Sequence, residues 1–158
     1  MSGARERLFG SISRVLRKKR GKRNRKSRSR FPKGTETLLI IEDEESVRKV
    51  LERAMRAYGY KVLLAADGAE GYEIYSRERD RIDLTVLDLL IPHMSGREFL
   101  ERLRAENPDA KVIVSTGPIE QDEQNAIEKL RPAKWMLKPY DLETLDLQVR
   151  EVLDADNG

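Results

Sequence analysis

Five side chains carry the chemistry that this 158-residue sequence permits: Glu42, Asp43, Asp88, Thr116 and Lys138. Asp88 closes Leu84-Thr85-Val86-Leu87-Asp88, an unbroken strand-type run that ends in one carboxylate. Glu42 and Asp43 close Leu38-Leu39-Ile40-Ile41 in the same way, Thr116 follows Val112-Ile113-Val114-Ser115, and Lys138 follows Trp135-Met136-Leu137. Three carboxylates brought into one pocket repel, by about 4 kcal/mol for a pair about 4 Å apart at an effective dielectric near 20. Such a group needs a cation, or one member must take up a proton. Oxygen ligands in a chain without cysteine favour a hard metal, Mg²⁺ first. A metal, an ammonium and a hydroxyl around a carboxylate make a site for a phosphoryl group, with Asp88 as nucleophile and an acyl phosphate as product.

The elements that would position these residues alternate. Short continuous apolar runs read as strands buried on both faces. They are expected at Leu38–Ile41, Tyr60–Ala65, Leu84–Asp88, Val112–Val114 and Trp135–Leu137. Between them lie helical patterns: Val47, Val50, Leu51, Ala54 and Tyr58, stopped by Gly59; Ala69 to Glu78; Arg97 to Ala105, ended by Asn107-Pro108; and Asp122 to Leu130, with Ala126, Ile127 and Leu130 as its few apolar residues. A last helix carries Leu142, Leu145, Val149, Val152 and Leu153. Five strands alternating with five helices predict an α/β fold, a parallel sheet with helices on both faces. All five chemical residues then fall at the carboxyl ends of strands, the edge where open α/β sheets carry their sites.

The net charge of +3 conceals a division. Residues 1–34 hold 14 Lys/Arg against Glu6 alone, and residues 35–158 hold 17 Lys/Arg against 27 Asp/Glu, so a tail of +13 precedes a domain of −10. In the tail, Leu8, Phe9, Ile12, Val15 and Leu16 share one helical face, and Arg17 to Arg30 contains ten basic residues in fourteen. That run is expected to be disordered when free, with Phe31-Pro32-Lys33-Gly34 as linker. Three readings compete for it: a solvated extension with no partner, a contact with an anionic membrane surface, and a contact with nucleic acid phosphates. No apolar stretch is long enough to span a membrane, and arginines interrupt any signal-peptide core. The absence of cysteine fits a reducing cytosol.

Ile41-Glu42-Asp43-Glu44, Leu87-Asp88-Leu89 with Pro92 and Gly96, Ser115-Thr116-Gly117, and Leu137-Lys138-Pro139 occur in that order. With them, residues 37–154 resemble the receiver domain of bacterial two-component response regulators. The resemblance implies a flavodoxin-like sheet order and a phosphoryl group passed to Asp88 from the phosphohistidine of a sensor histidine kinase or a phosphotransfer protein. It implies Mg²⁺ held by Asp43 directly, by Glu42 through water, by Asp88 and by the backbone carbonyl of Leu90. Thr116 would move to bond the phosphoryl oxygen and Lys138 would pair with it. Trp135 stands where the family usually keeps a Tyr or Phe that reports phosphorylation. Such a protein is a phosphoacceptor with at most slow self-phosphorylation and self-dephosphorylation, not an enzyme in its own right. It would work in the cytoplasm or at the inner membrane surface, act on an unidentified downstream protein, and leave homodimer formation open. With no output domain after Gly158, the expected form is a stand-alone regulator.

Other readings compete. Asp88 paired with Lys138 alone would leave Glu42 and Asp43 without a partner. Helix capping and the helix dipole account for Glu44 and Glu45. Ser115 rivals Thr116 as the hydroxyl, Trp135 is equally a core residue, and His93 beside Met94 reads as a surface residue. A metal-dependent phosphatase is disfavoured because Leu90, not a second acid, stands two residues after Asp88. An unphosphorylated scaffold module, with the basic tail as its working part, is the alternative of a different class.

Overall fold

The computed structural model describes residues 34–155, within a unit spanning Lys33–Gly158. The helical face and polybasic run expected in the tail lie outside the described residues. The elements run β1 (Thr37–Ile41), α1 (Glu45–Ala57), β2 (Lys61–Ala65), α2 (Gly68–Glu78), β3 (Leu84–Asp88), α3 (Gly96–Glu106), β4 (Val112–Thr116), α4 (Gln121–Glu128), β5 (Lys134–Leu137) and α5 (Leu142–Asp154). The five strands form one parallel sheet in the order β2-β1-β3-β4-β5. This is the flavodoxin-like order expected.

Every residue of β1, β3 and β4 is buried, as continuous apolar runs between two helical layers require. Alternation along the strands divides the core. Leu38, Ile40, Val86, Ile113 and Met136 face α1 and α5, where Leu51, Met55, Leu145 and Val149 meet them. Leu39, Ile41, Leu87, Val112 and Val114 face the other way, toward Phe99, Leu100 and Leu103 of α3 and Ile127 of α4. Asp67, Ser95 and Asp141 cap α2, α3 and α5 by accepting from the backbone N–H three residues on.

Some details differ from the sequence expectations. Val50 is 53% exposed because α1 turns only one stripe to the sheet, and Leu51 and Met55 occupy it. Glu44 stands at the N-cap of α1 but makes no side-chain cap. Tyr60 precedes β2 and packs its ring beneath Arg150. Helix α4 stops at Glu128, short of Leu130, with Ile127 as its buried residue. Asp146 is buried on the inward face of α5.

The amino edge of the sheet is tied by Arg150 of α5, whose guanidinium forks onto both oxygens of Glu36 at 3.1 Å and donates to the Tyr60 hydroxyl. Its hydrogen bonds hold the Glu36 carboxyl below the usual value. The start of β1 is thereby fixed to α5 at the edge opposite the acids.

Candidate functional site

Because β1, β3, β4 and β5 run parallel, their last residues share one edge. Glu42 lies just past β1 and Asp88 ends β3, both buried, while Asp43 is exposed. One oxygen from each of these three carboxylates lies within 4.8 Å of the others. Lys138, just past β5, reaches over β4 to place Nζ 3.0 Å from Asp88 Oδ2 and 3.1 Å from Glu42 Oε1. The other oxygen, Asp88 Oδ1, accepts from the Leu90 N–H at 3.0 Å. The structure thus brings Glu42, Asp43, Asp88 and Lys138 together, with the Leu90 backbone beside them.

Local packing holds this geometry. Gly96 lets the start of α3 press against the loop after Asp88: a Cβ there would meet Leu89 Cα at 2.5 Å and the Asp88 carbonyl at 2.9 Å. Arg48 of α1 donates to the backbone carbonyls of Glu42 (2.8 Å) and Asp43 (3.3 Å) and pins the loop that carries both acids. The Lys138 N–H donates to the Thr116 carbonyl, which locks the lysine's backbone to β4. Arg48 was invisible to the sequence reading because i to i+5 and i+6 contacts across a helix start leave no pattern.

The charges respond to one another. Burial raises the Glu42 carboxyl above its usual value, Asp88's charge adds to the rise, and the hydrogen bond from Lys138 opposes it. For Lys138, burial works against the charged form, but hydrogen bonds to Asp88 and Glu42 outweigh it and the ammonium is held above its usual value. Among the described residues one ammonium stands against three carboxylates, which leaves the cluster net negative. Three hard oxygen donors within reach of one point, with no sulfur or imidazole among them, suit a hard divalent cation.

Thr116 and Trp135 stand differently. Both alternate onto the α2–α4 face of the sheet, away from the Asp88 face, where Trp135 is half-buried against the core. Thr116 Oγ1 is buried and has no hydrogen-bond partner among the described residues. His93 is exposed, at φ 69°, with Nδ1 2.8 Å from Asp67 Oδ2. That pairing bridges two loops and was not read from sequence. No helix among the described residues is long and apolar enough to cross a membrane.

Residues 38–150 match the family model of the response regulator receiver domain. The chain is 30% identical over 118 residues to sporulation initiation phosphotransferase F of Bacillus subtilis, covering 75% of this chain and 94% of that one. It is 34% identical over 118 residues to the probable transcriptional regulator ycf27 of Porphyridium aerugineum, covering 75% and 48% respectively. A receiver domain protein from Clostridium thermocellum superposes with a TM-score of 0.72 at 23% identity, over 77% of this chain and 97% of that one. The chain spans about half the length, or less, of several curated relatives that it matches. Fold, edge chemistry and sequence match agree, and the chain belongs to the response regulator receiver domain family, the receiving module of two-component phosphorelays.

Proposed function

We propose that Asp88 is the phosphoacceptor of this chain and that Mg²⁺ assists it. The observation that carries this reading is the Lys138 ammonium bridging Asp88 and Glu42 inside an acidic cluster at the carboxyl edge. A kinase or phosphotransfer phosphohistidine donates: a P–O bond to an Asp88 oxygen forms as the P–N bond breaks, and the imidazole leaves. Asp43 and Asp88 would hold the metal with the Leu90 carbonyl, and Glu42 would act through water. When bound, the metal neutralises phosphoryl oxygens. Lys138 turns to the phosphoryl group, and Thr116, whose hydroxyl has no hydrogen-bond partner among the described residues, is drawn toward it. Trp135 on the same face follows, and the surface of α4, β5 and α5 changes for a downstream protein or a second copy. The protein acts as a phosphoacceptor, slowly self-phosphorylating from small donors, in the cytoplasm.

Incubation with acetyl phosphate and Mg²⁺ tests this directly. The intact protein gains one phosphoryl mass, and chelation of the metal suppresses the gain. No gain in Mg²⁺ would sink the proposal.

A second reading concerns residues 1–34, favoured by their charge of +13 against a domain of −10. They contact a polyanion, either nucleic acid or an anionic membrane surface, each basic residue near a lipid surface contributing about 1 kcal/mol. Deleting them abolishes salt-sensitive sedimentation with anionic vesicles or retention by DNA, and the two assays separate the partners. Unchanged binding by the truncated chain would dismiss the reading.

A further inference from the structure

Two hydroxyls end β4, and the proposed function uses only one. The core facing α1 and α5 takes Leu38 and Ile40 from β1, Leu84 and Val86 from β3, Ile113 from β4 and Met136 from β5. Counting on by twos, the same face receives Glu42, Asp88, Ser115 and Lys138. Thr116 falls on the opposite face with Val112 and Val114. Ser115, not Thr116, is therefore the hydroxyl on the side of the sheet that holds Asp88.

The register tightens the relation. Ser115 is the direct cross-strand partner of Asp88, and its carbonyl accepts from the Leu89 N–H at 3.1 Å. Strands paired in this way lie about 4.8 Å apart. Ser115 is 2% exposed, and its Oγ has no hydrogen-bond partner among the described residues. A buried hydroxyl without a partner is uncommon, because it forfeits its hydration for nothing. Tyr140, two residues past Lys138, packs on the same core. Its hydroxyl lies close enough to Ser115 for the two hydroxyls to interact.

We infer that Ser115 is a positioning residue of the Asp88 site, its hydroxyl donating to the Asp88 carboxyl group once that group carries phosphate, with the Tyr140 hydroxyl donating in turn to Ser115 Oγ. The inference rests on Asp88 being the phosphoacceptor. In the unmodified site both Asp88 oxygens already have donors, Leu90 N–H on one and Lys138 on the other. Bonding to phosphorus consumes one of those oxygens and draws Lys138 toward the new anion. With phosphorus on Oδ1, the remaining Oδ2 has lost Lys138 and lacks a donor. A turn of Ser115 about χ1 to another staggered position supplies one at little cost. Thr116, the last residue of β4, reaches the phosphoryl group over the carboxyl edge of the sheet, while Ser115 holds the carboxyl group from the Asp88 face.

The test uses the full chain and three variants: Ser115→Ala, Tyr140→Phe and both together. Initial phosphoryl incorporation from acetyl phosphate in Mg²⁺, the dissociation constant for beryllium fluoride with Mg²⁺ by calorimetry, and the thermal midpoint are measured for each. Ser115→Ala is expected to slow incorporation and weaken beryllium fluoride binding by about 3- to 10-fold, the worth of one neutral hydrogen bond. Its thermal midpoint stays level or rises, because an unpartnered buried hydroxyl is gone. Tyr140→Phe shows a smaller loss, and the double variant loses no more than Ser115→Ala, as a chain of donors requires. Rates and binding in Ser115→Ala within twofold of wild type would make Ser115 a plain strand-end residue and overturn the inference. An additive double variant would remove Tyr140 from it. A wild-type protein that takes up no phosphoryl group would instead overturn the phosphoacceptor reading, and this inference with it.

Discussion

Asp88→Asn takes up no phosphoryl group from acetyl phosphate, and in the absence of divalent metal it unfolds later than wild type. The first half follows from chemistry: a carboxylate oxygen attacks phosphorus to give an acyl phosphate, and a carboxamide does not. The second half follows from the charge count. Glu42, Asp43 and Asp88 offer oxygens within 4.8 Å of one another, and Lys138 is their one close ammonium among the described residues. Removing one of three like charges relieves more repulsion than the weakened contact to Lys138 gives up, because an amide oxygen still accepts from Lys138 or from the Leu90 N–H. The gain is about 1 kcal/mol, a few degrees in midpoint for a domain of this size. Mg²⁺ reverses the order: wild type gains binding free energy in proportion to ln(1 + [Mg²⁺]/Kd), and the variant, short of one ligand, gains less. Thermal melts in EDTA and in millimolar Mg²⁺ give the comparison. An Asp88→Asn protein less stable than wild type in EDTA would mean that the Asp88–Lys138 pair is a structural ion pair first.

The sequence carried the sheet because its signals are local. Leu38–Ile41 and Leu84–Asp88 are uninterrupted apolar runs, and β1 and β3 follow them closely. Their terminal acids, together with Lys138 after β5, were legible as one site because parallel topology collects strand ends on one edge. What escaped lies in contacts between residues distant along the chain, or in which face a residue takes. Val50 fits the helical pattern of α1 yet is exposed, since periodicity fixes a stripe but not its width. Arg104 carries no signal in the sequence, yet its guanidinium ties α3 to the carbonyls of Ala110 (2.7 Å) and Leu130 (2.7 Å). The Asp67–His93 contact spans 26 residues and joins two loops. Ser115 and Thr116 are adjacent in sequence and look interchangeable, and only the sheet's alternation assigns them to opposite faces.

Lys138→Met tests the same electrostatics from the other side. The variant leaves buried Glu42 and Asp88 without their ammonium, and the expected loss in EDTA at neutral pH is about 2–3 kcal/mol, less than for a fully buried pair because the Lys138 side chain is 31% exposed. The pH dependence has a definite sign. Glu42 is already raised by burial and by Asp88, with Lys138's hydrogen bond pulling the other way. Losing Lys138 raises it further. A raised carboxyl contributes stability that is complete below its ordinary value of 4.5 and is lost as pH rises through its folded value. The variant therefore approaches wild type on acidification and falls away toward neutrality. At the alkaline end, wild type loses the contribution of Lys138 as pH climbs through that group's raised value, and the curves converge again. Phosphoryl incorporation drops by about 10²-fold, the usual cost of one charged donor at a developing anion. Mg²⁺ decides between a working site and a structural ion cluster. If metal and ammonium neutralise the same carboxylates, Mg²⁺ stabilises Lys138→Met more than it stabilises wild type, since in the variant it displaces no bound charge. Equal stabilisation of the two proteins would mean that the cation and Lys138 answer to different acids, and the single-crevice account of Glu42, Asp43 and Asp88 would fail.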